Sequence, residues 1–161
     1  MFKYCTSLQT IPLIDTSSVT NTTEMFLHAD NLTSVPLLDL SSVTNMTNMF
    51  SSCLSLTSVP QFNTSSVQNM SYAFSNCQSL TTIPVLDTSN VTNMTSIVSS
   101  CGNLSNDTLN NLLEMCTNAI KITSATNKTL KKIGLTASQA STCTTLSNYS
   151  AFRNAGWTTG Y

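Results

Sequence analysis

The fold is decided by the stretch Met49–Ser96, which reads MFSSCLSLTSVPQFNTSSVQNMSY and then AFSNCQSLTTIPVLDTSNVTNMTS. The second half repeats the first at a period of 24 residues, without an insertion or a deletion. The same pattern extends back to Met1 and forward to Leu104, where it is lost. We number the copies unit 1 (1–24), unit 2 (25–48), unit 3 (49–72) and unit 4 (73–96). A fixed period of this length is typical of repeat architectures, in which each unit contacts only its neighbours.

Apolar residues recur in columns, mostly three residues apart within a unit, which fits neither a long helix nor a simple strand. The spacing fits a coil that turns a corner every few residues and points one side chain inward at each corner. Because ordering a backbone costs about 1–2 kcal/mol per residue, one unit cannot fold alone. Stacked units form a solenoid in which each column becomes a continuous ridge. The columns include Phe2, Phe26, Phe50, Phe74 and Val98; Cys5, Ala29, Cys53, Cys77 and Cys101; Leu8, Leu32, Leu56, Leu80 and Leu104.

Two polar columns predict turns. Each proline ends a short strand, since proline has no N–H to donate. The asparagines are expected to point inward as a ladder that satisfies loop backbone groups, and in that position their sequons cannot carry glycans. The members are Pro12, Pro36, Pro60 and Pro84, and Asn21, Asn45, Asn69 and Asn93.

The pieces Met49–Thr57 (MFSSCLSLT) and Asp87–Met94 (DTSNVTNM) resemble leucine-rich repeats of the BspA-type surface-protein family. They are also similar to the short repeats of mycoplasmal and Firmicutes surface lipoproteins. This resemblance covers residues 1–104, about 4.5 repeats, and implies an α/β solenoid of the short, right-handed leucine-rich-repeat type. It also implies extracellular display on a cell surface or virion, with adhesion or recognition and usually no catalysis.

Residues 105–161 differ in composition and predict a helical C-terminal capping region with one further strand. Apolar spacing predicts a helix over 107–118, with Ser105, Asn106 or Asp107 as its N-cap. The run Leu130–Leu135, Leu-x-x-Ile-x-Leu, is interpreted as the strand.

The chain end is predicted to be helical as well. Thr136 and Gln139 form a capping box for a helix over 137–146. A second short helix is expected over 148–155, with Gly156 as its stop and Trp157 folding back.

Composition excludes several classes of protein. Only 8% of the residues are charged and the net charge is -1, which argues against a nucleic-acid partner. No apolar run approaches the roughly 20 residues that span a bilayer, so membrane insertion is not expected. No signal peptide is visible, and no N-terminal cap precedes Met1. Unit 1 is therefore interpreted as a cut through a longer solenoid or as a docking face for another chain.

No catalytic, cofactor or metal site is predicted. The cysteine column is interpreted as free, buried thiols, because side chains in register keep their Cβ atoms too far apart for disulfides. The chain has no Cys-x-x-Cys pair and a single histidine, His28, at a variable position. The sequence is compatible both with a disulfide between Cys116 and Cys143 and with two free thiols.

The predicted function is non-enzymatic recognition of a surface protein or glycan on a host or neighbouring cell. Short polar side chains on the strand face favour hydrogen bonding over charge. An alternative is a structural subunit, such as a phage tail or fibre piece, that docks through its Met1 end to a copy of itself or another subunit. A remote alternative is an ice-binding solenoid, from the column Thr20, Thr44 and Thr92, which Gln68 interrupts. The candidate ligand contacts are Thr33, Ser34, Thr57, Ser58, Thr81 and Thr82 and the aromatic residues Tyr149, Trp157 and Tyr161.

Overall fold

The computed structural model describes residues 1–160, apart from the side chain of Leu130. Its helices all lie in the last third of the chain: α1 (Asn106–Asn118), α2 (Leu130–Ile133), α3 (Ala137–Cys143) and α4 (Tyr149–Asn154). Residues 1–105 form successive turns, and the only β pairing in the described chain consists of isolated parallel bridges. They are Asn21↔Asn45, Asn45↔Asn69, Asn69↔Asn93, Ser58↔Thr82 and Thr129↔Thr158.

The short strand expected before each proline is at most one bridge long. Thr81 and Thr82 both donate their N–H to the carbonyl of Thr57, at 3.0 and 3.3 Å. The next donor on this edge would be residue 84, which is a proline and has no N–H. The pairing therefore stops after one step.

Successive units lie side by side and are hydrogen-bonded along two edges. On one edge the earlier unit donates: the N–H of Phe26 reaches the carbonyl of Met49 at 2.8 Å, and that of His28 reaches Ser51 at 2.9 Å. On the other edge the later unit donates, as in the 3.0 Å bond from Thr33 to the carbonyl of Gln9. Because equivalent bonds recur at each step, every inner unit is tied to both neighbours.

The core is the stack of apolar columns. Phe2, Phe26, Phe50 and Phe74 stack with ring centroids 5.4, 5.3 and 5.7 Å apart and planes within 5° of parallel. The cysteine column joins units through its thiols, which donate to the phenylalanine carbonyl of the preceding unit. These bonds are Cys53 to Phe26 (3.2 Å), Cys77 to Phe50 (3.1 Å) and Cys101 to Phe74 (3.0 Å).

Two non-glycine residues of each unit adopt the left-handed conformation, at the positions two before and two after the column phenylalanine. Around Phe50 they are Asn48 (φ 54°), the last residue of unit 2, and Ser52 (φ 62°) of unit 3. A left-handed backbone costs an L-residue roughly 1–2 kcal/mol. The bonds that Asn48 and Ser52 donate to the carbonyls of Ser71 and Ser75 offset this strain, so the turn is held by the next unit.

The asparagine column does not point inward, contrary to the prediction. Asn21 is exposed, and Asn45, Asn69 and Asn93 are partly exposed. Each Oδ1 accepts the N–H two residues further on; the Asn45 bond to Thr47 is 3.0 Å. This local Asx turn satisfies the amide side chain without burying it. Since these asparagines do not point inward, burial does not prevent their sequons from carrying glycans.

Helix α1 takes the place of the next unit beside unit 4. The Thr108 hydroxyl donates to the carbonyl of Thr81 (2.8 Å) and accepts the N–H of Ile83 (3.1 Å). The Thr88 hydroxyl donates to the carbonyl of Met115 at 2.6 Å. Ser105 is the N-cap of α1, one of the three residues proposed for that role.

The strand predicted over Leu130–Leu135 is wrong, since residues 130–133 form α2. The Thr129 hydroxyl accepts the N–H of Lys132 at 2.9 Å and so starts a helical turn, which the Leu-x-x-Ile spacing also permits. The short helix still completes the stack, because the carbonyls of Lys132 and Ile133 accept the N–H groups of Ser96 and Val98.

The last two helices are close to the predicted ones. The capping box of Thr136 and Gln139 is confirmed, and α3 ends three residues earlier than predicted. After α4, Gly156 has φ 85° and Trp157 donates its N–H back to the carbonyl of Phe152. None of the helices within residues 1–160 has the length and apolar content needed to cross a bilayer.

Candidate functional site

The threonine–serine face consists of Thr33, Ser34, Thr57, Ser58, Thr81 and Thr82, which are all exposed. They lie on the edge where the later unit donates its N–H groups, and the four threonines donate theirs to the preceding unit. Their side chains project from a rigid, regularly spaced frame and carry no charge. The face can therefore recognise a ligand through hydroxyl hydrogen bonds.

Two of the threonine hydroxyls on this face are oriented by the stack. Thr33 Oγ1 donates to the carbonyl of Gln9 and Thr81 Oγ1 to that of Thr57, each at 3.2 Å. Because its hydroxyl proton is used, the oxygen of Thr33 is left to accept a hydrogen bond from outside, while that of Thr81 also lies 3.4 Å from the hydroxyl of Thr82. No hydrogen bond joins the hydroxyls of Ser34 and Ser58 to the rest of the described chain, which leaves them able to donate or accept. Together these residues form an array of ordered acceptors beside adaptable hydroxyls.

A second threonine column has the same geometry. Thr44 Oγ1 donates to the carbonyl of Thr20 at 3.2 Å, and Thr92 Oγ1 to that of Gln68 at 3.0 Å. All four residues are exposed. Gln68 breaks the spacing of hydroxyls in the middle of the column, which counts against an ice-ordering surface.

The aromatic residues proposed as contacts do not form a recognition tip. Trp157 is only 1% exposed and packs on Phe152 with ring centroids 5.8 Å apart, so it is a core residue. It was misassigned because the turn at Gly156 directs its ring inward. Tyr149 is partly buried against the same phenylalanine, at 5.7 Å. The third candidate, Tyr161, lies outside the described residues.

The cysteines are free thiols, including Cys116 and Cys143. Burial raises the pKa of Cys53 to about 12 and that of Cys101 to about 11, so both are protonated at neutral pH. A protonated thiol is a poor nucleophile and a poor metal ligand. Cys5 departs from the prediction for this column, since it is exposed.

His28 lies at one of the left-handed positions. Its Nδ1 is 3.5 Å from Asp30 Oδ1, and its ring stacks on Tyr4 with centroids 5.4 Å apart. Within the described residues, no group of three or more His, Cys, Asp or Glu side chains could hold a metal ion.

A second surface was not foreseen from the sequence. Three hollows of about 390, 270 and 760 Å³ share lining residues and so form one groove along the units, which ends at the last turn of α1. We call it the leucine groove; it is lined by Leu13, Leu37, Val85 and Ile120 and by Asp15, Asp39 and Asp87, with Gln61 and Asn63 at the corresponding positions of unit 3. The doublets Leu13-Ile14 and Leu37-Leu38 were the available signal, because only one residue of each pair can face the core.

Comparison with known proteins gives a family. The family model described as "Mycoplasma protein of unknown function, DUF285" matches residues 1–112, well over half of the chain. The chain belongs to the DUF285 family. The DUF285 match includes all four units and ends inside α1, the helix that packs on unit 4. No curated protein and no solved structure matches the chain.

Proposed function

We propose that this DUF285 protein is a non-enzymatic recognition module displayed on a cell or virion surface, built as a short right-handed leucine-rich-repeat solenoid. Its ligand is a polar protein surface or a glycan, bound on the threonine–serine face. One observation supports this above all: the hydroxyls of Thr33 and Thr81 are held in register by the preceding unit, in a face without charge. Such an array suits a ligand with many hydroxyl groups, because it offers acceptors at fixed spacing.

Two further observations support this proposal, one for display on a surface and one for binding. DUF285 is related to BspA-like surface repeat proteins, which favours the proposed surface role. Left-handed turns held by inter-unit bonds also make a rigid frame, and rigidity reduces the ordering cost of binding.

The test is a glycan array probed with the labelled protein, together with the triple variant T33V/T57V/T81V. Valine keeps the shape of threonine and has a methyl group in place of the hydroxyl. We expect at least one hydroxyl-rich glycan to bind and the triple variant to lose about tenfold or more in affinity, since three hydrogen bonds are removed. The matched control is T20V/T44V/T92V on the second column, which should bind like the native protein. The absence of binding across host-type glycans, or equal loss in both triple variants, would contradict the assignment.

A second candidate, a structural subunit that docks through unit 1, has one observation in its favour. Phe2, Leu8, Ile14 and Val19 are only partly buried, whereas their counterparts in units 2–4 are buried. Light scattering on the full chain tests it, because a stable assembly that dissociates in the F2S variant supports docking and a monomer contradicts it.

A further inference from the structure

The leucine groove contains apolar side chains that the fold does not use. Leu13 and Leu37 are 72% and 60% exposed, while their neighbours Ile14 and Leu38 face the core. At the end of the groove Ile120 is 70% exposed. Large apolar side chains this exposed, concentrated along one groove, are typical of an interaction surface.

The same groove carries negative charge without a partner. Asp15, Asp39 and Asp87 accept hydrogen bonds from serines two residues further on, within their own turns. No salt bridge in the described chain involves them. Hydrogen bonds from Ser41 lower the pKa of Asp39, and repulsion from the negative charge of Asp15 acts against them. A cationic group in the groove would relieve this repulsion.

A buried hydroxyl in the groove also lacks a partner. Thr16 is 2% exposed and lines the groove, yet its Oγ1 makes no hydrogen bond. The equivalent Thr64 and Thr88 donate to the carbonyls of Asp87 and Met115, at 2.9 and 2.6 Å. An unpaired buried hydroxyl is unfavourable, and a ligand that offers a carbonyl would give it a partner.

We propose that the leucine groove binds an extended segment of a partner protein in which apolar side chains alternate with lysine or arginine. Leucine side chains and Ile120 contact the apolar positions, and the aspartates contact the cations. Three steps of 5.3–5.7 Å separate units 1 and 4, about 16 Å in all. At about 3.3 Å per residue, this length accommodates roughly five extended residues. The binding surface is distinct from the threonine–serine face, so the inference does not rest on the proposed function.

A second copy of the chain is a poorer occupant. Its basic residues cluster after residue 120, but Ile122 and Ile133 in that region are buried in its own fold. Lys121 and Lys128 already donate to Asn90 and to the carbonyl of Ala155, at 2.6 and 2.8 Å. Ile122 and Ile133 are therefore not available to fill the groove of another copy.

The experiment is an NMR titration of the ¹⁵N-labelled full chain with the capped hexapeptide Lys-Leu-Lys-Leu-Lys-Leu, and with its Glu-Leu counterpart. We expect the cationic peptide to shift the amides of Leu13, Leu37 and Asp39 and to bind more weakly at high salt. Thr33, Thr57 and Thr81 should not shift. The acidic peptide should not bind.

Two variants copy residues that unit 3 already carries at the same positions. Leu37→Gln reproduces Gln61, and Asp39→Asn reproduces Asn63, whose Oδ1 makes the same bonds to Ser65. Both should therefore fold. We expect L37Q to weaken the peptide about tenfold and D39N about two- to fivefold. The controls are Y72S, an exposed aromatic outside the groove that copies Ser96, and D107N, an exposed carboxylate on α1; both should bind like the native chain.

Three results would overturn the inference. Unchanged binding in L37Q would show that the peptide is held by charge alone. Equal losses in D39N and D107N would show attraction to the acidic protein as a whole. Concentration-dependent self-association that L37Q abolishes would identify a second copy as the occupant instead.

Discussion

Units 1 and 3 share a sequence pattern and differ in burial. In unit 3, Phe50 and Cys53 are fully buried. In unit 1, the equivalent Phe2 is only partly buried and Cys5 is exposed. The two units present nearly the same apolar columns, so the residues themselves do not explain the difference. Unit 3 has a neighbour on both sides in the structure, and unit 1 has one. Burial here is therefore a property of the stack.

The C-terminal end shows how the stack can be closed. The repeat is lost after residue 104, yet Ile83 and Val98, the last members of their apolar columns, are at least as buried as Val59 and Phe50 of unit 3. Helices α1 and α2 provide this burial with unrelated sequences. They also accept or donate the hydrogen bonds that a further unit would make, through Thr108 and the carbonyl of Ile133. An inner unit needs a partner surface that makes matching hydrogen bonds, and the sequence of that partner matters less.

The largest expected effect comes from removing a phenylalanine in the middle of the stack. Phe50→Ala deletes a ring that stacks on both Phe26 and Phe74 and contacts Phe62. We expect it to lower the free energy of unfolding by about 3–5 kcal/mol. Phe2→Ala removes a ring with one stacking partner, and should cost about 1–2 kcal/mol. Urea unfolding followed by circular dichroism measures both. Equal losses would show that burial is set by the unit and not by its neighbours.

The apolar columns could be predicted from sequence because their period is fixed. Phe26, Leu32 and Val43 recur at the spacing of the repeat, and each is fully buried. A column that is apolar in every copy can face only the inside, so the pattern leaves little choice.

Polar and short segments could not be predicted in the same way. An asparagine is satisfied equally by an inward ladder or by its own turn, and Asn45 uses the turn. The spacing of Leu130–Leu135 fits a strand and one helical turn alike, and the hydroxyl of Thr129 decides between them. The exposure of Leu13 and Leu37 could not be predicted for another reason. Each is next to an apolar core residue, and the sequence does not show which residue of the pair the turn directs inward.

A smaller effect is expected where α2 meets the stack. Gly134 has φ 99°, and a Cβ added there would lie 2.6 Å from the backbone nitrogen of Ser99. Gly134→Ala should therefore push α2 off unit 4 and cost about 1–3 kcal/mol. The matched control is Gly102→Ala, where an added Cβ meets nothing within 4 Å. Thermal unfolding of both variants measures the difference; a G134A protein as stable as G102A would mean that α2 does not close the stack.

The smallest effect is a difference in cysteine reactivity, which leaves stability at neutral pH unchanged. Exposed Cys5 should react with iodoacetamide at pH 8, while Cys53, Cys77 and Cys101 should not, because burial shields them and raises their pKa. The raised pKa of the folded thiols also predicts that the protein becomes less stable at alkaline pH. The unfolded thiol titrates near 9, below the folded values of about 12 for Cys53 and about 11 for Cys101. Their contribution to stability is thus complete below pH 9 and is lost as the pH rises toward 11 to 12.

Cys53→Ala is the variant that sharpens this test, because unit 2 already carries Ala29 in the column. It should reduce the alkaline loss of stability, measured as the urea midpoint between pH 8 and pH 11. Mass spectrometry after alkylation should show one modified cysteine in the native chain and six after unfolding in urea. Modification of Cys53 at the rate of Cys5 would mean that inner units open as readily as the first, and the contrast between units 1 and 3 would then vanish in solution.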